Sequence, residues 1–81
     1  MRINVSDEFK KQFKKYDTKL QNRISKAIDK LPQGDVKRII GKKLPPLYRL
    51  RVGDYRIIYR ITEEDIYIEY IDSRGDAYKR L

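Results

Sequence analysis

The sequence predicts a small α+β domain in the order β-α-α-β-β-β, with an antiparallel sheet and a helical hairpin packed on one face. Three observations carry this reading. Apolar residues recur at helical intervals up to Leu31 and at strand intervals after Leu47. Pro32, Pro45 and Pro46 separate the two regimes, and the pairs Gly53-Asp54 and Glu63-Glu64 divide the second into short runs. The 81 residues suffice for one core, so residues 1–81 read as one domain.

Met1 to Val5 alternates with period two and reads as a first strand. Ser6 is placed to cap a helix whose first turn carries Asp7 and Glu8, where the helix dipole favours acids. Phe9, Phe13 and Tyr16 then share a stripe, with Lys10, Lys11, Lys14 and Lys15 around it, so this helix is expected to run to about Tyr16. Thr18 with Gln21 has the spacing of a capping box, and Leu20, Ile24, Ala27, Ile28 and Leu31 continue a second helix until Pro32 stops it. So short a gap between helices implies an antiparallel hairpin. From Gln33 to Pro46 the chain reads as a connector with one helical turn at Asp35 to Ile40. Strands follow near Leu47 to Val52, Tyr55 to Thr62 and Asp65 to Asp72, with a short extended segment near Ala77 to Leu81.

Twenty Lys and Arg against twelve Asp and Glu give a formal charge of +8, distributed from Arg2 to Arg80. Such a balance favours a polyanionic or acidic partner. The chain has no Cys and no His. Disulfides, a thiolate nucleophile, Cys-based zinc and imidazole acid-base chemistry are therefore excluded, and no metal or other cofactor is expected. Without a membrane-length apolar run or a signal-peptide pattern, a cytoplasmic location with no membrane partner is the expectation.

The run from Tyr48 to Tyr59 is the most informative segment. As a hairpin it projects Arg49, Arg51 and Arg56 from one face, and Leu50, Val52, Ile57 and Tyr59 from the other. Planar, permanently charged guanidiniums on a rigid sheet suit phosphate oxygens, although an ordinary solvated face would show the same alternation. Arg60 shares the strand parity of Arg56, and Lys42 and Lys43 add charge nearby in sequence; these three are candidates for RNA backbone contact. Lys42 and Lys43, with Lys10, Lys11, Lys14 and Lys15, read most simply as a solvated surface, or as contacts to nucleic-acid phosphates with a steep salt dependence. Tyr48, Tyr55, Tyr59 and Tyr70 read as core or sheet-edge residues. Glu63, Glu64 and Asp65 fall in a turn and do not compose a two-metal site.

The lysine-flanked helical hairpin, the segment Tyr48-Arg49-Leu50-Arg51-Val52-Gly53-Asp54-Tyr55-Arg56-Ile57-Ile58-Tyr59-Arg60-Ile61 and the ending Ile71-Asp72-Ser73-Arg74-Gly75-Asp76-Ala77-Tyr78 resemble the RelE toxins of the RelE/ParE superfamily. The resemblance implies the toxin of a type II toxin-antitoxin system, an mRNA interferase that cuts mRNA in the ribosomal A site and inhibits translation. It also implies a RelB-like antitoxin, acidic and partly disordered, with operator DNA bound only through that antitoxin. The family's active-site positions would fall on Arg49, Arg51, Arg56, Arg74 and Tyr78. Arg49 and Arg51 stand where the family often has lysine, and an arginine cannot serve as a base.

The implied reaction is metal-independent: the substrate's 2′-OH attacks the adjacent phosphorus, leaving a 2′,3′-cyclic phosphate and a 5′-OH. Arginines can align the backbone and stabilise the added negative charge, and Tyr78 is the candidate for proton transfer or stacking. Two other readings share the sequence: a ParE-like inhibitor of DNA gyrase without nuclease activity, and a catalytically weak RNA-binding relative.

Overall fold

A computed structural model describes residues 2–39 and 46–72. The elements are β1 (Arg2–Val5), α1 (Asp7–Phe13), α2 (Thr18–Asp29), β2 (Val36–Arg38), β3 (Leu47–Val52), β4 (Tyr55–Ile61) and β5 (Asp65–Asp72). They form a five-stranded sheet in the order β1-β5-β4-β3-β2, with both helices packed on one face. Neither helix is long and apolar enough to cross a membrane.

The sheet is mixed rather than wholly antiparallel. β1 pairs in parallel with β5, from Arg2 opposite Asp65 to Val5 opposite Ile68. Between these two strands the chain passes through both helices and crosses to the far edge, so β5 returns beside β1 in the same direction. The expected helical turn at Asp35 to Ile40 is replaced by β2, which pairs antiparallel with β3 from Val36 opposite Leu50 to Arg38 opposite Tyr48. An open edge on β3 offers unpaired backbone groups, and pairing with them outweighs a single unsupported turn of helix. The expected segment 77–81 lies outside the described residues.

Ser6 caps α1 by accepting from the Phe9 N–H at 3.0 Å, but α1 ends at Phe13 rather than Tyr16. The capping box at Thr18 is also displaced. Asp17 caps α2, its Oδ1 accepting from the Leu20 N–H at 2.8 Å, while Gln21 donates from Nε2 to the Phe13 carbonyl at 3.0 Å. A carboxylate is the stronger acceptor, and it also faces the positive end of the helix.

The main core lies between helices and sheet, with Phe9, Ile24 and Ile28 packed against Leu50, Val52, Ile57, Tyr59, Ile66, Ile68 and Ile71. In β5 the inward residues Ile66, Ile68 and Ile71 break the period of two. A bulge lies there, the register passing from Ile58 opposite Tyr70 to Tyr59 opposite Ile68. Glu69 is the extra residue, and its carbonyl, outside the ladder, accepts the Ser6 hydroxyl.

Candidate nucleic-acid interface

The β3-β4 register decides which arginines meet. Residues directly opposite on antiparallel strands point to the same face, and Arg51 lies directly opposite Arg56, Arg49 opposite Ile58, and Leu47 opposite Arg60. Arg49, Arg51, Arg56 and Arg60 therefore share the face away from the helices. The turn between the strands is tight, with Gly53 at φ +60° and Asp54 at negative φ, the II′ pattern that places glycine first.

This face is not a uniform guanidinium array. Ile39, Leu47, Ile58 and Tyr70 form a second apolar cluster in it, with Ile58 fully buried. The arginines share their face with this apolar patch, and Nη1 of Arg49 and Nε of Arg60 are themselves buried.

The four guanidiniums differ in surroundings. Arg49 is largely buried, its side chain 16% exposed, and its Nη1 lies 3.6 Å from Oδ1 of Asp35. Arg60 is ion-paired to Glu69, the bulge residue. Arg51 is exposed and donates from Nε to the Gly53 carbonyl at 3.3 Å. Among the described residues neither Arg51 nor Arg56 is ion-paired to a carboxylate. Opposed like charges on adjacent strands are unfavourable, so the Arg51–Arg56 pair is a charge concentration the fold tolerates rather than exploits.

Asp72 was passed over in the sequence. It is buried, 7% exposed, and lies directly opposite Arg56 on β5, because the bulge turns Tyr70 and Asp72 onto the arginine face. The unequal spacing of Ile66, Ile68 and Ile71 was the available signal.

Two tyrosines packed in the core, Tyr59 and Tyr16, are held in the neutral phenol form. Burial, with a smaller contribution from Tyr48, pushes Tyr59 up to about 12. Burial, with Tyr55 nearby, also raises Tyr16. Tyr48 stacks on Tyr59 at 5.5 Å between ring centres, on the helix side of the sheet. Among the described residues no group of three or more acidic side chains converges as a metal site. Arg74, Tyr78, Lys42 and Lys43 lie outside the described residues.

A family model for the ParE toxin of type II toxin-antitoxin systems (parDE) matches residues 3–78. The chain belongs to this toxin family. Its fold matches a chain of the archaeal RelE–RelB complex from Pyrococcus horikoshii OT3 with TM-score 0.76 and 25% identity, covering 93% of this chain and 96% of that one. A chain of the RelB–RelE antitoxin–toxin complex from Methanococcus jannaschii gives TM-score 0.75 and 24% identity over 96% and 98%. The YoeB dimer of Staphylococcus aureus gives 0.64 and 21% over 86% and 92%. A search of curated proteins found no match. As a member of the RelE/ParE superfamily, the protein is a type II toxin.

Proposed function

We propose that this toxin is a ribosome-dependent endoribonuclease that cuts mRNA in the A site, and that a cognate RelB-like antitoxin neutralises it. The observation that carries the reading is the opposed Arg51–Arg56 pair on a rigid sheet face without carboxylate ion pairs among the described residues. Two guanidiniums facing each other across a hairpin lower the energy of a phosphate that accumulates negative charge, and that gain offsets their mutual repulsion when RNA is bound.

In the proposed reaction the 2′-OH attacks the adjacent phosphorus and the bond from phosphorus to the 5′-oxygen breaks. A base removes the 2′ proton, and an acid protonates the departing 5′-oxygen. Arg56 and Arg74 hold the non-bridging oxygens. Arg51 orients the backbone and stabilises the 2′-oxyanion, and Arg49, tethered near Asp35, steadies the neighbouring strand. Tyr78 transfers a proton or stacks on a base. An unperturbed tyrosine has a pKa of about 10, so a proton-transfer role for Tyr78 requires positive charge supplied at the site in the bound state, and alignment supplied by the ribosome. Arg60, Lys42 and Lys43 add backbone contacts, Arg60 at the expense of its pair with Glu69.

The antitoxin reading is supported by the two archaeal relatives, whose structures are toxin–antitoxin complexes, and by the +8 charge, which suits an acidic partner. A second reading, a gyrase inhibitor without nuclease activity, is favoured by the family model itself. Primer extension on a defined mRNA, with ribosomes and with naked RNA, separates them. A-site cuts that weaken in Arg56→Ala and Tyr78→Phe support the nuclease; absence of cuts together with gyrase-linked DNA breaks supports the second reading.

A further inference from the structure

A second basic feature lies beside the outer face. Between α2 and β3 runs a cleft of about 350 Å³ lined by Arg23 and Lys26 of α2 and by Lys30 at its C-cap, with the β3 segment Leu50 to Val52 opposite. These three cations fall at i, i+3 and i+7, one stripe of the helix and its cap, spanning about 10 Å. Lys26 and Lys30, four apart, repel each other when the cleft is empty. Among the described residues its one lining carboxylate, Asp35, is the residue that pairs with Arg49.

Two guanidiniums converge at the Gly53 turn. Arg51 donates to the Gly53 carbonyl at 3.3 Å, and Nη2 of Arg23 lies 2.9 Å from where a Cβ on Gly53 would stand. The Gly53 turn is thus flanked by Arg51, whose side chain faces outward, and by Arg23, which lines the cleft, so the two basic surfaces adjoin there.

We propose that this cleft binds the sugar–phosphate backbone of RNA, extending the outer-face site past the Gly53 turn. The proposal takes from the function proposed above only that the partner is RNA. An acidic amphipathic helix fits less well, because such a helix needs an apolar stripe to dock on, and the cleft floor, Leu50 and Val52, is already buried.

The test uses a fluorescein-labelled 2′-O-methyl RNA oligonucleotide, which lacks the attacking hydroxyl, and reads anisotropy across a salt series. The intact protein is compared with Lys26→Gln/Lys30→Gln and with Lys14→Gln/Lys15→Gln, which removes equal charge from exposed positions away from the cleft, each checked for an unchanged melting curve. The cleft pair is expected to weaken binding about fivefold or more and to lower the salt slope by about 1.4, while the control pair changes affinity less than about twofold. Equal losses for both pairs, unchanged affinity in the cleft pair, or no binding by the intact protein would overturn the proposal. Retained RNA affinity with lost affinity for a poly-glutamate peptide would also overturn it, reassigning the cleft to a protein partner. An intact protein that binds this RNA but never cuts natural mRNA would sink the nuclease reading alone.

Discussion

The side-chain amide of Gln12 grips the backbone of Ile71 at both of its polar groups, Nε2 donating to the carbonyl and Oε1 accepting from the N–H, each at 2.7 Å. β1 pairs with β5 only as far as Ile68, so among the described residues no strand lies beside the outer edge of β5 beyond the bulge. Gln12, on α1, takes the place of one. It thereby fixes the end of β5, where Asp72 lies opposite Arg56 and from which the chain continues toward Arg74 and Tyr78.

Gln12→Ala is expected to destabilise the protein by about 1–3 kcal/mol, because it strands two part-buried backbone groups at once. Gln12→Glu keeps the acceptor and loses the donor, so its cost should fall between alanine and the parent. Urea melts of the three proteins check this. Equal midpoints for parent and alanine variant would mean that water replaces the clamp without loss.

The opposed Arg51 and Arg56 set stability against activity. Replacing either with Gln removes like-charge repulsion worth roughly 0.2–1 kcal/mol, so Arg51→Gln should melt at or slightly above the parent. The same change should reduce RNA cleavage by about a hundredfold or more, the cost of losing one donor to a transition-state oxyanion. Denaturant melts and single-turnover cleavage on stalled ribosomes measure the two sides. A variant that loses stability and keeps its cleavage rate would make Arg51 structural.

Much of this arrangement was legible in the sequence. The alternation from Tyr48 to Tyr59 sorted Leu50, Val52, Ile57 and Tyr59 from the arginines, because a period of two survives wherever the hairpin is regular. What escaped the sequence depended on distant partners. β2 exists because β3 has an open edge, and Val36 to Arg38 alone carries no strand signal strong enough to reveal it. Asp72 reached the arginine face through a bulge at Glu69, a one-residue slip that inverts every later side chain. The ion pairs that distinguish Arg49 and Arg60 from Arg51 and Arg56 depend on strand pairing that no local pattern shows, Asp35 reaching Arg49 beside the β2 edge and Glu69 reaching Arg60 at the bulge.

Tyr59 should make the protein sensitive to alkali. Its folded pKa is raised to about 12, above the usual value of 10.0, so the neutral phenol is favoured by folding. Stability from this source is complete below about pH 10, where folded and unfolded states are both protonated, and is lost as pH rises toward 12. Tyr59→Phe, which cannot ionise, should flatten the decline over that window. Phenolate absorbance and thermal melts between pH 9 and about 12 check the sign. A parent that melts at the same temperature across the window would rule the effect out.

The turn that sets Arg51 opposite Arg56 depends on Gly53, and two separate costs attend any side chain there. One is backbone: at φ +60° an L-residue loses about 1–2 kcal/mol. The other is contact, since a Cβ would stand 2.9 Å from Nη2 of Arg23. That atom ends a long flexible side chain and can swing aside, so the backbone term should dominate. Gly53→Ala is therefore expected to cost about 1–2 kcal/mol, with Arg23→Ala/Gly53→Ala recovering only a small part of it. A double-mutant cycle by urea melting measures the coupling. Full recovery in the double variant would place the strain in the Arg23 contact, making the guanidinium a fixed wall of the cleft rather than a movable one.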